Sequence, residues 1–303
     1  MKLSIVIVNW NTGTLLQQCL HSIEANVKAW SPQDVETFIV DNASKDDSLA
    51  LACSAHPWAQ AIENRENVGF ARANNQALSL CSGQYVLLLN PDTELLPDAL
   101  ETLVAFMDDH PEGGACGPRL LNADGSLQPS CHPLLTPGRE FWRLMFLDYL
   151  WPRARYPLRR WGLETARSVE VIKGACFLLR REALDEVGLL DDRYFMYTEE
   201  MDLCHRLLRA GWELYWLPQA VVVHYGEVSS RQVAEEMYIQ LYRSKMQFHR
   251  KFGGVWRATY FRLLLFLAYI PRLFWVALGR SFFPDLTQRE RTYRRLLTEL
   301  RTM

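Results

Sequence analysis

The sequence predicts an α/β fold: a mainly parallel central sheet with helices on both faces, followed by a helical C-terminal extension. Three observations predict it. Short apolar runs of strand length alternate with stretches whose apolar residues recur at helical spacing, the pattern of βαβ units. Each of the first three runs stops at a cluster rich in Asn, Asp or Ser. Beyond residue 255 the chain becomes strongly apolar and basic.

Residues 3–8 are apolar and β-branched and read as a buried strand. They end in Asn9-Trp10-Asn11-Thr12-Gly13, after which Leu15, Leu16, Cys19, Leu20 and Ile23 mark one face of a helix. Residues 37–40 form a second strand, closed by Asp41-Asn42-Ala43-Ser44, with Ser44 or Asp46 placed to cap the next helix. Residues 85–89 form a third, closed by Asn90-Pro91-Asp92; Pro97 suits the first turn of a helix. In parallel sheets ligands bind beyond the carboxyl ends of the strands, where these three polar clusters fall. Residues 129–169 are rich in Pro, Trp and Arg and lack a period, which predicts a long functional loop. Residues 169–180 resume as strand, interrupted at Gly174-Ala175. Residues 194–211 read as loop then helix, with Leu203, Leu207 and Leu208 as the apolar face and Gly211 as the stop. Two short strands, 212–217 and 220–223, lead to His224, and 233–250 form a further helix.

With 303 residues, 49% hydrophobic and 22% charged, the chain can bury one large α/β domain or two smaller ones. A net charge of −2 argues against a nucleic-acid partner. That average hides an asymmetry: residues 243–303 carry 13 of the 33 Lys and Arg but 3 of the 35 Asp and Glu, a net +10 against −12 for the rest. The seven cysteines include no C-x-x-C pair, which predicts reduced thiols in a cytosolic protein. The sequon Asn42-Ala43-Ser44 would then go unused, and no secretory signal is expected before the first strand. The run from Trp256 to Phe283 has the length of a membrane span, roughly 20 residues, but Arg262, Pro271, Arg272 and Arg280 interrupt it. Helices lying at a membrane interface, with arginines towards head groups, fit that pattern better. A helical hairpin packed on the catalytic domain or a dimer partner remains the alternative.

Several residues have the chemistry of a site. Asp92 is an oxygen ligand suited to Mg²⁺ or Mn²⁺, and equally a turn residue in Asn-Pro-Asp. Glu199, Glu200 and Asp202 crowd three carboxylates into four residues. Like charges raise one another's pKa, which suits a general base, although acids also favour the first turn of a helix. His224 ends a strand and is either a metal ligand or structural. Asp41 can accept from a nucleobase N–H or close a turn. Trp10 can stack on a base or pack in the core. Asn67-Val68-Gly69-Phe70-Ala71-Arg72 can line a nucleotide or start a helix.

The order of these segments carries more than any one of them. Val8-Asn9-Trp10-Asn11, Val40-Asp41-Asn42-Ala43-Ser44, Asn67-x-Gly69-Phe70-Ala71-x-Ala73-Asn74-Asn75, Leu89-Asn90-Pro91-Asp92-Thr93, Lys173-Gly174-Ala175-Cys176, Glu199-Glu200-x-Asp202-Leu203-Cys204-x-Arg206 and His224 follow one another. This series resembles the family 2 glycosyltransferases of GT-A fold, in particular their rhamnosyltransferase-like branch, over about residues 3–230. The resemblance implies a Rossmann-like catalytic domain over 1–230, with a nucleotide-sugar half (1–125) and an acceptor half (126–230), and an extension over 231–303. It implies Val8, Asn9, Trp10, Asp41, Asn67, Gly69 and Arg72 at the nucleotide, and Asn90, Gly174 and Ala175 at donor or acceptor sugar. Asp92 is the implied metal-binding acid, with Asn90 at the position of the motif's first acid and His224 completing the Mg²⁺ or Mn²⁺ site. Glu200 holds the position of the catalytic base. Many relatives have Glu-Asp where this chain has Glu199-Glu200, which leaves open which of the two acts; Asp202 would orient the helix start or Arg206. The implied partners are a dTDP- or UDP-sugar donor, a glycan or lipid-linked glycan acceptor, the inner membrane face through the tail, and a possible second copy in a homodimer. Two rivals are a sugar-nucleotide nucleotidyltransferase, which needs a Gly-rich, Arg-containing first loop absent from Asn9–Gly13, and a nucleotide-sugar-binding scaffold at the membrane. The acidic triplet and His224 argue against the scaffold.

Overall fold

The computed structural model describes residues 1–151, 153–226, 233–279 and 286–303. Arg280 and the end of the apolar run at Phe283 lie outside the described residues. The chain divides into two units. The first comprises Met1–Leu134, Pro157–Phe195 and Glu199–Arg231; the second comprises Leu135–Tyr156, Met196–Thr198 and Gln232–Met303.

The first unit is built on one sheet. Its early strands are β1 (Leu3–Asn9), β2 (Val35–Asp41), β3 (Gln60–Glu63) and β4 (Tyr85–Leu89). They pair in parallel in the order β3-β2-β1-β4. Helices α1 (Leu15–Val27), α2 (Ser48–Ala55) and α3 (Phe70–Leu78) form the crossovers between them. β1 and β4 are buried at every position, which is why they read as unbroken apolar runs. β5 (Thr93–Leu95), α4 (Ala99–Asp109) and β6 (Gly113–Leu121) follow, then the short β7 (Leu127–Gln128) and β8 (Cys131–His132). β9 (Arg167–Ser168), β10 (Val171–Ile172), β11 (Cys176–Arg180), α6 (Arg181–Val187), α7 (Glu199–Ala210) and β12 (Glu213–His224) complete the unit. The sheet continues β4-β11-β6-β12-β5. β11 runs antiparallel to both neighbours, and β12 is parallel to β6 but antiparallel to β5. The sheet is therefore mixed, with a parallel first half. The two strands expected over 212–223 are one strand with a register shift between Leu217 and Val221.

Arg180 locks the middle of this sheet. Its guanidinium, nine-tenths buried, donates to Met107 O (2.6 Å) and His110 O (2.9 Å), carbonyls left over at the end of α4, and to Gly113 O (2.7 Å) at the start of β6. All seven cysteines are free; burial pushes Cys19 and Cys204 up to about 12, so both stay as inert thiols.

The second unit is helical. It contains α5 (Pro137–Leu144), inside the stretch expected to be loop, then α8 (Ala234–Gly279) and α9 (Leu286–Glu299). Thr136 caps α5 by accepting from Arg139 N, with Pro137 in the first turn. α8 breaks direction at Gly254, whose φ of 67° only glycine adopts without strain. Its core gathers Leu144, Ile239, Tyr242, Met246, Phe261, Leu265, Tyr269 and Leu296. Arg272 does not point outward as expected: it donates to Leu144 O and lies over the rings of Phe146 (4.7 Å) and Tyr269 (5.0 Å).

Candidate active site

The parallel register aligns the polar strand ends on one edge of the sheet. Asn9 and Asp41 are register partners, and Ile7 pairs with Leu89, which puts Asn90 one step beyond. Asn9 Nδ2 donates to Asp41 Oδ1 (2.7 Å) and Ser48 Oγ (2.8 Å). Ser44 donates to the same carboxylate from its hydroxyl (2.6 Å) and its backbone N–H (2.9 Å). Three of the roughly four acceptor positions of Asp41 are thus occupied within the protein, which fixes its orientation and leaves about one. Val8 is buried, Trp10 and Asn67 are half-buried and Arg72 is exposed on α3. Asn67 Oδ1 accepts from Gly69 N (3.0 Å) in a local turn. Gly69 has φ 88°, and a Cβ there would meet Phe195 O at 2.5 Å. The close approach that demands this glycine is therefore to the chain at Phe195, whose carbonyl accepts from Phe70 N (2.6 Å).

Asp92 and His224 meet because β5 pairs with the end of β12, with Thr93 opposite His224. Both are buried. His224 Nε2 lies 3.4 Å from Asp92 Oδ1 and accepts from Asn90 Nδ2 at 3.3 Å. On the other side of the ring, Nδ1 donates to Gln128 Oε1 (2.7 Å). Gln128 is itself oriented, since its Nε2 donates to His224 O (3.1 Å) and Asn122 Oδ1 (2.8 Å) while Lys173 Nζ donates to its Oε1 (3.1 Å). The proton therefore sits on Nδ1, and the Nε2 lone pair faces Asp92. An imidazole lone pair beside a carboxylate oxygen is a donor set for a divalent cation that takes its remaining ligands from water and phosphate. Gln128, on the two-residue β7, orients the His224 ring, and an isolated glutamine carries no motif to single it out in the sequence.

The acidic cluster is sorted by burial. The chain enters α7 through Tyr197 and Thr198, with φ of 67° and 74°, a costly conformation for a β-branched threonine. Glu199 is buried, and its Oε2 has no hydrogen-bond partner among the described residues. Burial, reinforced by the charge of Glu200, pushes its pKa well above the usual carboxylate range. Glu200 is half-buried, with its Cβ 3.7 Å from where a Cβ on Gly174 would stand. Asp202 is fully buried; Arg206 donates to one of its oxygens (2.7 Å) and Tyr194 to the other (3.2 Å). Arg206 then donates to the carbonyls of Val187, Gly188 and Leu189. Asp202 thus positions α7 through Arg206. The structure brings Asn9 to Asp41, Asn90 and Asp92 to His224, and Gly174 to Glu200. Lys173, whose Nζ reaches Gln128, and Gly174, against Glu200, are adjacent in sequence, so one short segment touches both clusters. Asn90 N donates to Ala175 O (2.9 Å), which closes the same edge.

Residues 4–188 match the family described as Glycosyl transferase family 2. The chain is 28% identical, over 271 residues covering 84% of it and 87% of the relative, to an N-acetylglucosaminyl-diphospho-decaprenol L-rhamnosyltransferase of Mycobacterium tuberculosis. Among solved structures it resembles a mannosyltransferase of Pyrobaculum calidifontis in complex with GDP-Man and Mn²⁺ (TM-score 0.53, 17% identity, 99% of this chain and 86% of that one). It also resembles GalNAc-T7 with UDP, GalNAc and Mn²⁺ (TM-score 0.54, 18% identity, 74% of this chain), of which it spans less than half, 44%. These two likenesses bear out the expected GT-A fold.

Proposed function

The chain belongs to glycosyl transferase family 2, and on that premise we propose that it moves a sugar from a nucleoside diphosphate onto an acceptor hydroxyl, inverting the anomeric carbon, in the building of a cell-surface polysaccharide. The carrying observation is the Asp92–His224 pair, with its lone pair aimed by Gln128, anchored next to Glu200 through Lys173-Gly174. The name of the mycobacterial relative supports L-rhamnose as the sugar and a lipid-linked glycan as the acceptor.

Asp41, held by Asn9 and Ser44, takes the base, with Val8, Trp10, Asn67, Gly69 and Arg72 along the nucleotide. Asn90, Gly174 and Ala175 face the sugars. Asp92 and His224 would hold Mg²⁺ or Mn²⁺. Such a cation, when bound, neutralises the charge of the departing diphosphate. Glu200 takes the proton of the acceptor hydroxyl as that oxygen bonds to the anomeric carbon from the face opposite the leaving phosphate oxygen. Burial, reinforced by the charge of Glu200, drives Glu199 towards the neutral acid, which leaves Glu200 as the carboxylate placed to serve as base. A panel of dTDP- and UDP-sugars with Mg²⁺ or Mn²⁺ tests this: transfer from one donor with inverted product is expected. Tight nucleotide binding without turnover of any donor would overturn it.

The membrane contact belongs to the same proposal. Trp256, Tyr260, Leu263, Leu267, Ile270, Phe274 and Leu278 are all exposed and follow one another at spacings of three and four, one face of α8. Phe261, Leu264, Leu265 and Ala268 bury the other face in the core of the second unit. The helix is long and apolar enough to cross a membrane, but a helix with one face already packed fits the lipid surface better. Replacing Leu263, Leu267 and Phe274 with Gln should lower flotation with anionic vesicles roughly tenfold or more. Unchanged flotation would remove α8 from the contact.

A further inference from the structure

Away from the strand-end site, α1 and α2 bring together three metal-ligating side chains. His21 and Glu24 stand three residues apart on α1, on one face of the helix. His56 ends α2, its N–H donating to Ala52 O (2.8 Å). One ligand atom from each lies within 4.8 Å of the others. Among the described residues this is the one such group of three or more.

A second observation points to a ligand there. His56 is 4% exposed, and its Nδ1 makes no hydrogen bond although Glu24 Oε2 lies 3.3 Å away. A buried ring nitrogen left without a hydrogen bond is costly. Trp58 stands edge-on to the ring at 5.6 Å and confines it, so Nδ1 stays directed at Glu24. The Glu24–His56 separation already matches two ligands of one tetrahedral ion, which at bond lengths of about 2.0–2.1 Å lie roughly 3.4 Å apart. His21 is exposed, within 4.8 Å of both, and can turn its ring towards the pair to close the set. The cluster also borders a cleft of about 880 Å³ whose wall includes Glu94 and Tyr225, leaving room for a water or a small anion as fourth ligand.

We propose that His21, Glu24 and His56 form a second metal site, distinct from Asp92–His224, that takes a zinc-type divalent cation. Two imidazoles and one carboxylate favour Zn²⁺, Cu²⁺ or Ni²⁺ over Mg²⁺, whereas Asp92 with phosphate oxygens favours the harder ions. The two sites therefore sort metals by ligand chemistry. A bound ion ties α1 to α2, the helices that follow the Asn9–Gly13 and Asp41–Ser44 loops. It stabilises the unit that carries the nucleotide edge.

The test is Zn²⁺ titration of the metal-stripped full-length protein by calorimetry, with thermal unfolding alongside. Wild type and Asp92→Asn should each bind zinc at this site and gain thermal stability. His21→Gln and Glu24→Gln, at exposed positions that leave the core intact, should each weaken that binding at least tenfold and lose the gain. His56→Gln should do the same if it folds. Binding that survives His21→Gln and Glu24→Gln unchanged, or that disappears in Asp92→Asn alone, would overturn the proposal.

Discussion

Two buried glutamates, one in each unit, are held in opposite ways. In the helical unit Glu140 is buried and fully used: Arg143 donates to both oxygens (3.0 and 2.6 Å), and Lys245 approaches both (3.3 and 3.2 Å). Burial alone would raise this carboxyl; Lys245 and Arg143 outweigh it and hold the pKa at about 2. In the catalytic unit Glu199 is buried to the same extent but without a cation, and burial wins. The same residue type, equally hidden, is a permanent anion in one unit and is driven towards neutrality in the other. A closed network holds helices in place, whereas the open acceptor of Glu199 stands in the first turn of α7 beside Glu200.

The largest effect that would break this contrast is at Glu140. Glu140→Gln leaves Lys245 buried, and Arg143 half-buried, without their anion. Urea unfolding should show a loss of about 3–5 kcal/mol, and a loss under 1 kcal/mol would mean the network is not closed. Next is acid. Burial first, and Arg257 second, hold His249 at about 3 against an ordinary 6.5, with Arg257 Nε donating to its Nδ1 (3.0 Å). Because the folded value is depressed, the unfolded chain takes up the proton first. Stability from His249 is complete above about pH 6.5 and is lost as pH falls towards 3, by roughly 2–3 kcal/mol at pH 4.5. His249→Phe should flatten that slope; an unchanged slope would assign acid sensitivity elsewhere. Smaller still is Gln128→Ala, which frees the His224 ring on the catalytic side. It should weaken Mn²⁺ affinity in the presence of nucleotide about 10–100-fold with little change in folding stability. An unaltered affinity would remove Gln128 from the site.

The sequence made the parallel half of the sheet legible because β1, β2 and β4 are apolar runs with polar ends. β6 was not legible. Its Gly-Gly-Ala-Cys-Gly-Pro start lacks β-formers, yet a Cβ on Gly114 would sit 2.7 Å from the Trp212 side chain, and one on Gly117 would sit 2.3 Å from Ile172. Small residues are needed where neighbours come that close, and only the folded neighbours reveal it. α5 carried its signals, Thr136 and Pro137, but they were masked by the Pro, Trp and Arg around it. At the site, motif order singled out Asp92 and His224, which the fold brings together, and Glu200; the resemblance suggested Asp202 beside Arg206, which the fold pairs. Gln128 and Lys173 were not given roles, because Gln128 meets His224, and Lys173 meets Gln128, only in the fold, across 96 and 45 residues of chain. Gly69 was placed at a nucleotide, and its tight neighbour is Phe195.

On the proposed mechanism the two adjacent glutamates differ: Glu199 is enclosed and driven towards the neutral acid, and Glu200 takes the acceptor's proton. Steady-state turnover of Glu199→Gln and Glu200→Gln, measured side by side with nucleotide affinity, tests it most directly. The expected result is a fall in kcat of about 10²-fold or more for Glu200→Gln, with nucleotide affinity near wild type, and a much smaller fall for Glu199→Gln, whose amide mimics the neutral acid. Turnover lost in Glu199→Gln and kept in Glu200→Gln would contradict it.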